Sequence, residues 1–271
     1  MWSTDRVAAG QASGAVRRAQ RAPLVEEVLR LSATGMSARR VADDVGVGQA
    51  TISRWLAAHG MHGRNFRFLD ELTPRQEAIL TGTLLGDANL QLRGLAKNAT
   101  LRLSHGDKQI DYLRWKADEL RPLITAAPKL RWIKHPEKDD YKGWVAHSRS
   151  HPLLTAFFRA FYPDGVKSIS EEVVQKMSAV DIPLEMAVWY MDDGCLDSGK
   201  YALLSIGGLD ESSYGRIFAW LQSRFPGRPR KCASNCYIYA LTKPGSDELF
   251  RAIAAHVHPS MRYKLPEAYR A

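Results

Sequence analysis

ILTGTLLGDANL (residues 79–90) and EMAVWYMDDGCL (residues 185–196) are the two stretches that decide how this chain folds. Each is an apolar run that ends in acid: Asp87 follows Gly86 in the first, and Asp192 and Asp193 precede Gly194 in the second. The spacing predicts a helix over about Arg75 to Asp87, opened by Thr73-Pro74 with proline at its first position, and another from near Pro183 to Asp193. Gly82 and Gly86 lie four residues apart and share one face of the first helix. A glycine inside a helix costs about 1 kcal/mol relative to alanine, so two on one stripe predict another backbone packed closely there. If the two helices pack about a two-fold axis, their ends carry Asp87 and Asp193 to adjacent points. Two carboxylates so placed repel unless one is protonated or a cation lies between them. A hard divalent ion with oxygen ligands resolves this, Mg²⁺ or Mn²⁺ being the expected cofactor, and such ions promote phosphodiester hydrolysis.

Around these helices the sequence is written twice. After the first come strands near Ala88 to Leu92 and Thr100 to His105, a helix over Lys108 to Arg121, strands over Lys129 to His135 and Gly143 to Ser148, and a helix over Pro152 to Phe161. After the second come strands around Cys195 to Leu196 and Tyr201 to Ser205, a helix over Glu211 to Arg224, strands over Arg228 to Ala233 and Cys236 to Leu241, and a helix over Ser246 to His256. Both halves read helix, two strands, helix, two strands, helix. The expected class is α+β, with two pseudo-symmetric αββαββα repeats at about residues 72–162 and 181–266 of a domain spanning 67–271.

At this point the chain resembles the LAGLIDADG homing endonucleases, in particular the single-chain members with two motifs. GTLLGDANL is similar to the first motif and AVWYMDDGCL to the second. RLSHGDKQIDYLRWK resembles the stretch after the family's first hairpin, HPLLTAFFRAFYPDGVKSI the link into the second repeat, and HPSMRYKL the closing signature. The likeness covers about Leu72 to Pro266. It implies a saddle whose two four-stranded sheets lie along the DNA major groove. It also implies metal held by Asp87 and Asp193, with Gly86 and Asp192 beside them, and cleavage of both strands to leave short 3′ overhangs. The family's basic residue near each active centre falls on Lys167, in GVKSI, and Lys264, in RYKL. Each follows the last helix of its repeat, where a lysine could stabilise negative charge developing on phosphate. The second motif departs from the pattern with Val188, Trp189 and Tyr190 where small residues might sit, and Ala88 follows Asp87 where the consensus has glycine.

Upstream, SARRVADDVGVGQATISRWL resembles a helix-turn-helix: Ser37 as N-cap, Ala42 at a close helix approach, Gly46 at the turn, and Val41, Val45, Val47 and Ile52 in the core. This predicts a small all-α module at 23–66, after a disordered basic lead-in at 1–22, with Gln49, Thr51, Ser53 and Arg54 facing DNA. A three-helix protein-binding module fits the same periodicity. In the main domain, Arg93, Arg102, Arg131 and Lys134 alternate on strands of the first repeat, and Arg228, Arg230 and Lys231 cluster beside strands of the second. Alternation puts the first set on one sheet face, which suits a groove-facing surface, and the second set, at a turn beside its strands, is expected to contact phosphate. Trp132 and Trp144 are expected to pack against the helices.

The net charge of +9 on 271 residues fits a polyanionic partner. Three cysteines, without a pairing framework, fit a reducing compartment such as a bacterial or phage-host cytoplasm rather than an organelle. Reading Cys232 and Cys236 with His256 and His258 as zinc ligands lacks a second cysteine pair. No apolar run approaches the roughly 18 residues of a membrane span. The sequence therefore predicts a monomeric, metal-dependent endonuclease for a long double-stranded DNA site, either intron-encoded or free-standing rather than an intein. Alternatives on the same scaffold are a non-cleaving transcriptional regulator and an RNA maturase.

Overall fold

The computed structural model describes residues 21–34, 36–59, 71–133, 141–179, 181–233 and 236–270. Lys134, nearly all of the basic lead-in and residues 60–66 of the expected helical module lie outside this range. The chain divides into two compact units, Met1–Asp70 and Glu71–Ala271.

The first unit contains helix α1 over residues 21–33, α2 (Ala38–Val45) and α3 (Gln49–Ala58). Ser37 caps α2 by accepting from the Arg40 amide, and Gly46 ends it at φ 67°, a left-handed conformation that favours glycine. Val28, Val41, Ala42, Ile52 and Leu56 form the core, with Trp55 packed at its edge. This leaves Gln49, Ser53 and Arg54 exposed and Thr51 half-buried on the outer side of α3.

The second unit is the duplication. Its first half is α4 (Pro74–Leu85), β1 (Asn89–Gln91), β2 (Thr100–Gly106), α5 (Ile110–Glu119), β3 (Lys129–Ile133), β4 (Tyr141–His147) and α6 (Pro152–Phe161). Its second half is α8 (Ile182–Asp193), β5 (Gly194–Asp197), β6 (Tyr201–Gly207), α9 (Glu211–Gln222), β7 (Gly227–Ala233), β8 (Cys236–Leu241) and α10 (Lys243–Ile253). Between them lies a helix the sequence reading passed over, α7 (Glu171–Ala179), which buries Val173 and Met177 one turn apart. Each half makes one four-stranded antiparallel sheet, in the orders β1-β2-β4-β3 and β5-β6-β8-β7. No described helix is long and apolar enough to cross a membrane.

The sequence dictates where α4 begins. Thr73 accepts from the Gln76 amide while the Gln76 side chain accepts from the Thr73 amide, and Pro74 occupies a first-turn position that needs no N–H donor. From Ala78 to Leu85 every residue of α4 is buried, as is every residue of α8 from Leu184 to Asp192. A helix apolar all round belongs in the middle of a domain, and these two pack against each other. A Cβ added to Gly82 would lie 2.4 Å from the Glu185 carbonyl oxygen, and one added to Gly86 would lie 2.6 Å from Asp192 Cβ. The glycine stripe is thus a notch in α4 that receives α8.

Strand register equates the halves residue by residue. Asn89 pairs with Arg102 as Cys195 pairs with Leu203, and Leu90 pairs with Leu101 as Leu196 pairs with Ala202. His105 in β2 therefore matches Ile206 in β6. On the following helices Tyr112, Leu113, Lys116 and Leu120 are buried at the same spacing as Ser213, Tyr214, Ile217 and Leu221. Lys116 therefore matches Ile217.

Candidate active centre and nucleic-acid interface

Asp87 follows the end of α4, and Asp193 is the last residue of α8. Gly194 gives α8 its exit, because a Cβ there would meet the Tyr190 ring at 2.1 Å. Asp87 is pushed up to about 6, by burial first and then by the charge of Asp192, against the pull of Lys116, Lys264 and Lys167. Asp193 is pushed up to about 7 by burial, then by Asp87 and Asp192. Asp193 thus feels the charge of Asp87, while the leading carboxylate influence on Asp87 is that of Asp192.

Lys167 and Lys264 occupy matching places. Lys167 Nζ donates to the carbonyls of Gly86 at 3.2 Å and Leu85 at 3.5 Å, at the end of α4. Lys264 Nζ donates to the carbonyls of Met191 at 2.6 Å and Asp192 at 3.2 Å, at the end of α8. Each cation sits at the negative end of a helix dipole. The Tyr190 hydroxyl fixes the Lys264 backbone by donating to its carbonyl at 3.0 Å. Burial lowers the pKa of both lysines, while Asp87, Asp192 and Asp193 pull it back up.

Asp192 has a different environment. Its side chain is fully buried and points into the first half. Oδ1 accepts from Lys116 Nζ at 2.9 Å and from the Tyr112 hydroxyl at 2.9 Å. Oδ2 accepts from the Thr83 hydroxyl at 2.9 Å, from Lys116 Nζ at 3.1 Å and from the Asp87 amide at 3.4 Å. Burial alone would raise its pKa, but the Lys116 charge and the hydrogen bonds from Lys116 and Tyr112 hold it below the usual carboxylate range. Lys116 Nζ also donates to Thr83 Oγ1 at 2.9 Å and lies 4.5 Å from the Tyr112 ring centroid.

His105 completes the cluster. Its Nδ1 lies 3.2 Å from Gln109 Oε1 and 3.5 Å from Asp87 Oδ2, while Nε2 is buried without a hydrogen-bond partner, 3.7 Å from Asp192 Oδ1. Burial, then Lys116, drives its pKa down to about 3, so the ring is neutral and these approaches are not ion pairs. Asp87, His105 and Asp192 each bring one ligand atom within 4.8 Å of the others, a spacing that could hold a metal ion.

The open face of the first sheet is basic. Arg102 pairs with His147, and Lys129 and Arg131 pair into β4 in the same phase, which puts them on one side. The pKa of His147 falls, through burial first and then through the charges of Arg102, Arg93, Arg131 and Lys129. In the second sheet Arg228 and Arg230 share the open face, paired with Ala240 and Ile238. Lys231 does not join them: it pairs with Tyr237, on the face that carries Ile206, and its Nζ lies 5.8 Å from the Tyr237 ring centroid. The basic cluster of Arg228, Arg230 and Lys231 is thus divided between two faces, because one step along a strand reverses the face. Trp132 is a correction: it lies on the helix side of edge strand β3 yet is 66% exposed, whereas Trp144 donates to Asp107 at 2.7 Å.

Two duplicated αββαββα halves, crossed at a helix pair that ends in acids and flanked by two antiparallel sheets, define the two-motif homing endonuclease scaffold. The profile described as the LAGLIDADG DNA endonuclease family matches residues 77–231, more than half of the chain, and this chain belongs to that family. A protein named RecA from Mycolicibacterium chitae is 30% identical over 220 residues, which span 73% of this chain but only 48% of that protein. DNA endonuclease I-ChuI from Chlamydomonas applanata is 28% identical over 130 residues, 46% of this chain and 60% of that one. Among solved structures, the homing endonuclease I-WcaI, bound to its DNA recognition sequence, superposes with a TM-score of 0.61 at 21% identity. That match covers 75% of this chain and 94% of I-WcaI, and it shows a common fold.

Thr83, His105, Tyr112 and Lys116 were missed by sequence reasoning, although two signals were present. The alternation Leu101, Leu103, His105 puts the histidine on the buried face, and Lys116 interrupts the apolar stripe Tyr112, Leu113, Ala117, Leu120. A lysine in such a stripe needs a buried anion.

Proposed function

We propose that the chain is a site-specific endonuclease that cuts both strands of a long duplex target with divalent metal held by Asp87 and Asp193. The observation that carries this reading is the pair of acids, one from each half, at the ends of the two central helices, with pKa values raised to about 6 and about 7 by burial first and then by neighbouring carboxylates. Hard oxygen donors in that state suit Mg²⁺ or Mn²⁺. Such an ion supplies Lewis-acid activation of a phosphoryl group and of the attacking water.

The chain's own residues do the rest. Lys167 and Lys264, fixed on the carbonyls at the ends of α4 and α8, place positive charge beside the acids, where phosphate charge grows during cleavage. Arg93, Arg102, Lys129 and Arg131 offer the first sheet to a DNA groove, and Arg228 and Arg230 the second. Gln49, Thr51, Ser53 and Arg54 on α3 make a separate DNA contact that lengthens the recognised site, and the chain acts as a monomer.

The test uses Mg²⁺ and a plasmid carrying the genomic sequence that flanks this gene. Wild-type protein makes double-strand cuts. Asp87→Asn and Asp193→Asn each lower the cutting rate by about 100- to 1000-fold, while gel-shift affinity stays within a few-fold. Tight binding by wild-type protein without cutting would replace this reading with a non-cleaving DNA-binding protein.

A further inference from the structure

We infer that Asp192 is a positioning residue rather than a metal ligand: anchored on Lys116, it braces the turn that presents Asp87, so the second half of the chain builds the active centre of the first. This rests on the endonuclease reading above and departs from the expectation that Asp192 helps to hold the ion.

The argument starts from lone pairs. The two Asp192 oxygens receive Lys116, Tyr112, Thr83 and the Asp87 amide, at 2.9–3.4 Å. The Lys116 ammonium directs its donors at both Asp192 oxygens and at Thr83 Oγ1, so a divalent ion on Asp192 would face an ammonium in contact with the same carboxylate. The side chain is fully buried, as is that of Lys116, whereas the Asp87 side chain is 41% exposed and within reach of a ligand. The buried pair is therefore already neutralised internally, and the open charge belongs to Asp87 and Asp193.

The second half of the argument is steric. Asp192 Cβ occupies the space over Gly86, the residue immediately before Asp87, and its carboxylate accepts from the Asp87 amide. Packing and a hydrogen bond from this one side chain fix the Gly86–Asp87 peptide. Thr83, one turn earlier on α4, ties the same carboxylate to that helix. Asp192 thus holds Asp87 without touching a reacting atom, and Lys116 holds Asp192.

Single substitutions leave a buried charge unpaired, so the test uses charge-neutral pairs in the full chain. Lys116→Met with Asp192→Asn keeps an oxygen that can accept from the Asp87 amide, and Lys116→Met with Asp192→Ala removes it. The readouts are exchange of the Asp87 amide by ¹⁵N NMR, equivalents of Mn²⁺ bound by EPR with the metal alone, and DNA cleavage. The Asn pair is expected to keep the wild-type Mn²⁺ equivalents, to protect the Asp87 amide better than the Ala pair does, and to cut faster than the Ala pair. In the Ala pair that amide exchanges about tenfold faster, the energetic scale of one hydrogen bond, and cutting slows while Mn²⁺ equivalents are retained. Loss of a Mn²⁺ equivalent in the Asn pair, or unchanged Asp87 exchange in the Ala pair, would overturn the assignment. If wild-type protein binds no Mn²⁺ and cuts nothing, the endonuclease reading fails by itself, and the amide exchange still decides whether Asp192 braces Asp87.

Discussion

The two halves share a backbone plan but fill its central positions with opposite chemistry. Where the first half has Gly86, His105 and Lys116, the second has Asp192, Ile206 and Ile217. The notch is on one helix and the knob on the other, and the knob is charged. A carboxylate buried across the crossing must meet a cation, and the first half supplies Lys116 at the place where the second keeps an aliphatic side chain. The difference teaches that the duplication is complementary at this point rather than merely diverged: Asp192, the departure in the second half, is answered by Lys116 in the first.

Three experiments can break or sharpen this contrast. The largest effect is expected at the matched pair Lys116 and Ile217. Lys116→Met strands the Asp192 carboxylate without its counter-ion and should destabilise by about 3–5 kcal/mol. Ile217→Met, at the equivalent place, should cost less than about 1.5 kcal/mol. Urea unfolding of both variants measures the gap, and equal losses would mean that the buried charge has no special dependence on Lys116.

The glycine notch comes next. Gly86→Ala puts a methyl 2.6 Å from Asp192 Cβ and should cost about 1–3 kcal/mol through overpacking. Gly215→Ala on α9 meets nothing within 4 Å and should stabilise by about 0.5–1 kcal/mol, since alanine is the better helix former. Melting temperatures that move in the same direction would refute the notch.

The smallest effect is in pH, and it separates the two kinds of acid. Asp87 and Asp193 have folded-state pKa values raised to about 6 and about 7, so the folded protein keeps protons that the unfolded chain has released. Metal-free stability contributed by these groups therefore falls as pH rises from about 4 through 7. Asp192 is shifted the other way, so its contribution is lost only as pH falls below the ordinary carboxylate range. Unfolding between pH 5 and 8 should show the decline without metal and its reversal with excess Mg²⁺, which binds the deprotonated pair. A flat metal-free profile would mean that the acids do not confront each other.

What could be read in the sequence follows from the range of each interaction. Helix caps such as Thr73 with Gln76, and the glycine stripe on α4, are local patterns, and the repeated order of elements is a pattern too. The acids at the ends of α4 and α8 were legible for the same reason. Lys116 and Asp192 are 76 residues apart, and nothing near either names its partner. The side on which Lys231 lies was not legible, because a cluster of basic residues beside a strand does not say which members share a face. Trp132 was misplaced because β3 is an edge strand, where the helix-side face is left partly uncovered.

The notch and its charged knob also bear on descent. Two copies of the first half brought together would set Gly86 against Gly86 and leave a void at the crossing. Two copies of the second would set Asp192 against Asp192, two buried anions with Ile217 where each needs an ammonium. Neither half can now serve as its own mate, so cutting the gene in two would yield subunits fit only for each other.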